Sequence, residues 1–131
     1  MPASRPTIQS ISPFFIVSDV TRTIAFYRDK LGFEVRFQQP QPNPFFAILG
    51  RESAQLFVKS KSDISPLPNS HRHPSLRWDA YLSVPDPDAL AAEFASHGTT
   101  FSAPLTDTHD GLRGFEISDP DGHILFFGHP R

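Results

Sequence analysis

At 131 residues the chain has the size of one ordinary domain, and its 38% hydrophobic and 20% charged content is that of a protein with a real core. A net charge of -2 with interspersed signs offers no footprint for nucleic acid, and the absence of cysteine excludes disulfides, thiolate metal sites and a cysteine nucleophile. No stretch approaches the roughly 20 apolar residues of a membrane span, and the polar run from Met1 to Ser10 gives no support for secretion, so a cytoplasmic protein is expected.

In chain order, Phe14 to Val17 reads as a strand that runs into the capping pair Ser18 and Asp19. Ile24, Phe26, Tyr27 and Leu31 then recur at helical spacing up to Gly32, a residue suited to end a helix because it adopts positive φ cheaply. Strands are expected over 33–38, 45–49 and 55–59, with Pro40, Pro42 and Pro44 bracketing the first loop and Gly50 to Ser53 forming the last turn. The polar, proline-bearing run that follows has no hydrophobic period and reads as a linker over about 61–75.

The same order then begins again. Tyr81 to Val84 leads into Pro85 and Asp86; Leu90, Ala91, Phe94 and Ala95 mark a helix up to Gly98; strands are expected over 100–102, 114–118 and 123–127. Val17 to Gly32 and Val84 to Gly98 differ in length by a single residue. The unit is therefore βαβββ, and the chain is expected to be one α+β domain of two tandem modules, about 9–60 and 76–131. Each module would pack one main helix on a curved mixed sheet, with a crevice between the modules.

These residues carry a resemblance. Phe14 to Asp19, Ile24 to Tyr27, Lys30 to Phe33 and the closing turn Asp119, Pro120, Asp121, Gly122 are similar to the glyoxalase, bleomycin-resistance and extradiol-dioxygenase superfamily, the vicinal oxygen chelate fold. The resemblance covers nearly the whole chain. In the superfamily's enzymes, side chains from the first and last strands of each module hold a divalent ion that acts as a Lewis acid. Carried over one at a time, those positions fall on Ser12, on Leu56 (or Gln55 or Phe57, one residue to either side), on Asp79 and on Phe126.

A working site needs at least three protein ligands around an open position. Here only Asp79 is a plausible metal ligand, with Gln55 a weak second, and Asp79 beside Trp78 also reads as a plain strand-end carboxylate. The pattern thus resembles the metal-free, bleomycin-resistance-like branch, which implies a small-molecule binding or sequestering protein without a cofactor; a lyase or dioxygenase with a non-standard metal site is the alternative. Strand alternation places Phe14 and Ile16, then Asp79, Tyr81 and Ser83, then Ile124 and Phe126 on the crevice side, with Phe57 from the first module. Arg113 and Glu116 are further candidates for orienting a ligand. An aromatic wall of this kind favours a flat or hydrophobic small molecule, and the resemblance also implies a homodimer.

Of the six histidines, His109 lies beside Asp107 and Asp110 in what reads as a long loop, and it is the candidate general base. His71 and His73 fall in the linker, His97 precedes the helix-ending Gly98, and His123 and His129 are expected to be exposed. Asp119 and Asp121 read as turn residues that accept backbone amides.

Overall fold

The computed structural model describes residues 4–131. In the first module a short strand β1 (Phe14–Ile16) enters helix α1 (Val20–Leu31), followed by β2 (Glu34–Gln39), β3 (Phe46–Arg51) and β4 (Ala54–Lys59). A four-residue helix α2 (Asn69–Arg72) interrupts the polar connection. The second module repeats the order as β5 (Ala80–Ser83), α3 (Pro87–Ser96), β6 (Phe101–Asp107), β7 (Leu112–Ser118) and β8 (Ile124–Pro130).

The two long helices, α1 and α3, start as their sequences require. The Asp19 carboxylate accepts from the Arg22 amide at 3.2 Å and the Asp86 carboxylate from the Ala89 amide at 3.0 Å, each satisfying a donor that the first turn leaves unpaired. Helix α1 stops at Gly32, whose φ of +71° is the left-handed conformation expected of a C-cap glycine. Helix α3 ends one residue earlier than the glycine signal implies, with His97 as cap and Gly98 beyond it.

Each module forms a four-stranded sheet, ordered β1-β4-β3-β2 (sheet 1) and β5-β8-β7-β6 (sheet 2). The first strand of each module pairs parallel to the last, and the remaining pairs are antiparallel. Strand β6 runs to Asp107, well past the expected Ser102, because its pairing with β7 tolerates two irregularities. Likewise β8 continues to Pro130. The segment between β6 and β7 is consequently a short hairpin turn over 108–111 and not a long loop.

The alternating side chains Phe15, Val17, Leu49, Leu56 and Val58 of sheet 1 and Phe115, Ile117, Leu125 and Phe127 of sheet 2 all point to the helix-bearing side. There they join Val20, Ile24, Tyr27, Leu31 and Phe94 in one continuous core spanning both modules. The opposite, concave faces of the sheets therefore hold the residues left for recognition. Among the described residues no helix is long and apolar enough to cross a membrane.

Candidate functional site

On sheet 1 the register aligns Phe14, Phe57, Ile48 and Phe37 in one row across β1, β4, β3 and β2. Phe46 stands one row away, and ring centroids follow one another at 6.4 Å (Phe14 to Phe57), 5.8 Å (Phe57 to Phe46) and 6.0 Å (Phe46 to Phe37). This is an aromatic floor without a cover: Phe14 is 55% exposed, Phe37 47% and Ile16 40%. Leu56 lies in the core, so Gln55, Phe57 and Lys59 are the β4 residues on the concave side.

The corresponding row of sheet 2 is Tyr81, Phe126, Glu116 and Ala103. Phe126 lies flat on the sheet above two glycines. A Cβ at Gly128 would approach its ring to 2.4 Å and one at Gly114 to 2.7 Å, so only glycine admits the ring at these positions. Trp78 stacks on its outer face at 4.1 Å with 22° between planes, and Tyr81 packs alongside at 5.8 Å. Phe126 is thus buried as a layer of a stack, whereas Tyr81 remains 42% exposed.

Glu116, only 6% exposed, carries the one carboxylate in this row. It accepts Arg77 Nη2 at 2.8 Å, Arg77 Nε at 3.3 Å, Trp78 Nε1 at 3.0 Å and Ser102 Oγ at 3.5 Å. A buried carboxylate is tolerable only when paired and fully bonded, and this one is both. Its consequence is positional: it fixes the Trp78 ring over Phe126 and holds the Arg77 guanidinium at the edge of the stack. The hydrogen bond to Glu116 raises the Arg77 pKa further above its ordinary value. Arg113, by contrast, turns to the helix side and binds Asp88 and Asp107, so it does not orient a crevice ligand.

Asp79 sits at the mouth of sheet 2 with both oxygens committed to the backbone, Oδ1 accepting from Asn69 N at 2.9 Å and Oδ2 from Ile124 N at 2.8 Å. The carboxylate therefore ties the linker helix and β8 to the start of β5. His109 stands on the exposed tip of the β6-β7 turn and lines neither of the two grooves described below.

His123 departs from its expected exposure. It is 5% exposed, stacked on Phe15 of the other module at 4.3 Å and 1° between planes. Its Nδ1 donates to Asp119 Oδ2 at 3.0 Å, and the same oxygen receives the Tyr27 hydroxyl at 3.0 Å. Asp119 Oδ1 accepts the amides of Asp121 and His123, both at 2.9 Å. Burial alone pulls the His123 pKa down, but the hydrogen bond and charge of Asp119, with smaller help from Asp79 and Asp121, leave it above the ordinary imidazole value. Burial, then Asp119, pushes the Tyr27 hydroxyl well above its usual range. Turn 119–122 is therefore a buried inter-module joint, extended at the surface by Ser18 bonding Asp121.

The positions where relatives hold a metal do not fit one. Phe126 and its sheet 1 counterpart Phe57 offer no donor, Leu56 lies in the core, Gln55 supplies at most one neutral oxygen, Ser12 is a poor ligand, and Asp79 is consumed by two amides. Among the described residues no group of three or more His, Cys, Asp or Glu side chains converges as a metal site would require.

Among the depressions on the surface of the chain, two stand out. One of about 720 Å³ follows the seam between modules, lined by Ile11, Leu56, Leu82, Leu90 and Phe94 and rimmed by the Arg51–Glu93 ion pair. A shallower one of about 650 Å³ lies beside Phe45, Lys59 and Ile64. The larger runs along β5, whose outer edge pairs with no strand among the described residues. Tyr81 reaches its lining, as do the edge-packed rings of Phe94 and Phe127, whereas Phe57 and Phe126 lie outside it.

With this geometry established, the chain's sequence matches the family model of the glyoxalase/bleomycin resistance protein/dioxygenase superfamily over residues 7–127, and the protein belongs to that superfamily. Curated proteins give no match. Solved structures share the fold. A bleomycin-binding protein from bleomycin-producing Streptomyces verticillus, complexed with copper(II)-bleomycin, is 23% identical, with a TM-score of 0.70 over 97% of this chain and 100% of its own. TnmS3, an antibiotic binding protein from Streptomyces sp. CB03234, is 20% identical, with a TM-score of 0.67 over 97% and 100%. A glyoxalase-related enzyme from Clostridium phytofermentans is 14% identical, with a TM-score of 0.74 over 96% and 98%.

Proposed function

We propose that the protein binds and sequesters a hydrophobic or aromatic small molecule without transforming it, in a crevice that uses no metal and is completed in a homodimer. The observation that carries this reading is the pair of aromatic concave faces, with Phe126 and Phe57 standing where a chelating enzyme needs donors. Exposed rings arranged side by side on a rigid sheet are a stacking surface for a planar ligand, and such contacts add to simple area burial. The antibiotic-binding proteins among the structural relatives support the same class of ligand.

The dimer is supported by what one chain leaves open. Among the described residues, no ring of the Phe14, Phe57, Phe46 and Phe37 set touches a ring of the Trp78, Tyr81 and Phe126 set. Edge strands β1 and β5 each lack an outer partner among the described residues, and unpaired edges invite pairing. A second copy that brings its sheet 2 against sheet 1 would enclose both aromatic surfaces. The cytoplasm is the proposed compartment, in keeping with a cysteine-free chain.

Calorimetric titration with bleomycin and a panel of planar polycyclic aromatics, in excess chelator, tests the reading. Saturable binding of at least one compound, with the compound recovered chemically intact, is expected. Recovery of an altered compound, or binding that needs a stoichiometric divalent ion, overturns it.

A further inference from the structure

The concave faces are selective in what they leave unbonded. On sheet 2 the carboxylate acceptors are used up: Glu116 takes Arg77, Trp78 and Ser102, and Asp79 takes two backbone amides. The donors are not. Arg77 engages Glu116 through Nε and Nη2, leaving Nη1 without a partner among the described residues on a side chain that is 43% exposed. The Tyr81 hydroxyl, on the exposed side of the Phe126 stack, has no protein partner among them either.

Sheet 1 shows the same bias. Lys59 aligns with Ile16 on one side and Phe46 on the other, with its ammonium 5.9 Å from the Phe45 ring centre and no carboxylate within ion-pair distance among the described residues. The remaining carboxylate on this side, Glu34, is at the outer end of β2 and pairs with Arg36 at 3.5 Å. Stacking surface is thus accompanied on both sheets by spare cationic donors, while the carboxylates next to the sheet 2 rings, Glu116 and Asp79, are committed to protein partners and Glu34 stays at the far end of β2. A cationic ligand would find its natural partners already occupied, whereas an acceptor-rich one would complete the hydrogen bonds that the protein leaves unmade.

Resting on the aromatic-crevice reading, we propose that the site selects planar aromatic acids, with the ring on the Trp78–Tyr81 surface and the anionic group on the free edge of Arg77, and with Lys59 adding positive field from sheet 1. Glu116 is a positioning residue here. It fixes the guanidinium plane next to the stack, and a planar fork held in place suits a carboxylate better than a mobile ammonium does. The ring supplies the stacking contact and Arg77 the discrimination.

Three probes with one ring system separate these contributions: naphthalene-2-carboxylate, 2-naphthylmethanol and 2-naphthylmethylammonium. Affinities are measured by calorimetry, and the site is located by the indole N–H resonance of Trp78, the single tryptophan of the chain. The carboxylate should bind at least about tenfold more tightly than the alcohol, with the ammonium weakest, and should shift the indole signal. Arg77→Gln combined with Glu116→Gln removes both charges while keeping hydrogen-bonding groups in place, and should abolish the carboxylate's advantage with melting temperature as a check on folding. Lys59→Gln, at an exposed side chain bonded to nothing in the fold, should reduce that advantage by a smaller factor. If the alcohol or the ammonium binds the native protein as well as the acid, the charge selectivity is wrong while the aromatic crevice stands. If none of the three binds up to its solubility limit, the crevice reading fails and takes this inference with it. An acid preference that survives both sets of substitutions overturns the assignment to Arg77 and Lys59.

Discussion

The two modules share strand order and handle their concave faces in opposite ways. The row Phe14, Phe57, Ile48, Phe37 of sheet 1 corresponds, strand for strand, to Tyr81, Phe126, Glu116, Ala103 of sheet 2. Sheet 1 leaves its rings uncovered, whereas sheet 2 places a buried carboxylate where sheet 1 has Ile48 and uses it to pin Trp78 over Phe126 and Arg77 at the edge of the stack. The two modules therefore keep one scaffold, with one face an open floor and the other a covered stack with a cationic edge.

The hairpins that close the modules differ in the same manner. Turn 119–122 of module two is sunk into module one through Asp119, Tyr27 and His123. Its counterpart in module one reaches module two by the Arg51–Glu93 ion pair, at 2.7 Å but partly exposed. The Arg51 guanidinium holds the Glu93 carboxyl below its ordinary pKa.

This contrast is sharpest under mutation. Asp119→Ala strands the Tyr27 hydroxyl, the His123 imidazole and two amides without an acceptor, and a loss of about 4 kcal/mol in urea unfolding is expected. Glu93→Ala, which cuts the exposed joint, should cost about 1 kcal/mol or less. Equal losses would show that the two joints are equivalent after all. Next in size, Phe126→Ala should cost about 3 kcal/mol because it empties a buried layer beneath Trp78, while Phe14→Ala on the bare face should cost under about 1 kcal/mol. Tyr27→Phe removes a single hydroxyl bond to Asp119 and should cost about 1.5 kcal/mol.

The gentlest probe is pH. Because the folded-state pKa of His123 lies above its unfolded value near 6.5, its contribution is complete below that value and is lost as pH rises through the folded pKa. Urea midpoints should therefore decline from about pH 6 toward mild alkalinity, and His123→Gln should flatten that slope. A slope of the opposite sign would mean that burial, not Asp119, governs the imidazole.

What was legible in the sequence was the part written in local pattern. Strand, cap, amphipathic helix and glycine repeat in order, and the alternation that sends Phe15 inward and Phe14 outward follows from strand period alone. The joint and the Trp78 stack were less legible because their partners are distant in the chain. His123 is buried by Phe15 of the other module, and Arg77 finds Glu116 at a separation of 39 residues, so no local window reveals either. A signal for the latter did exist: a lone glutamate between the apolar Phe115 and Ile117 of a strand needs a cation if it is buried, and Arg77 beside Trp78 is its partner. Arg113 misled for the mirror-image reason. Its position on β7 faces the helix, where Asp88 and Asp107 hold it.

The central claim is that the bare face of one chain and the stacked face of another make one binding site. Subunit mixing tests it directly. Phe57→Asp disables the sheet 1 face and Tyr81→Asp the sheet 2 face; each variant alone should bind no planar aromatic ligand of the native protein, but after mixing and subunit exchange each heterodimer regains one intact site. Calorimetry should then recover about a quarter of the native binding capacity, since about half of the dimers are mixed and each has one of its two sites restored. A mixture that binds no better than its separate components would contradict the account.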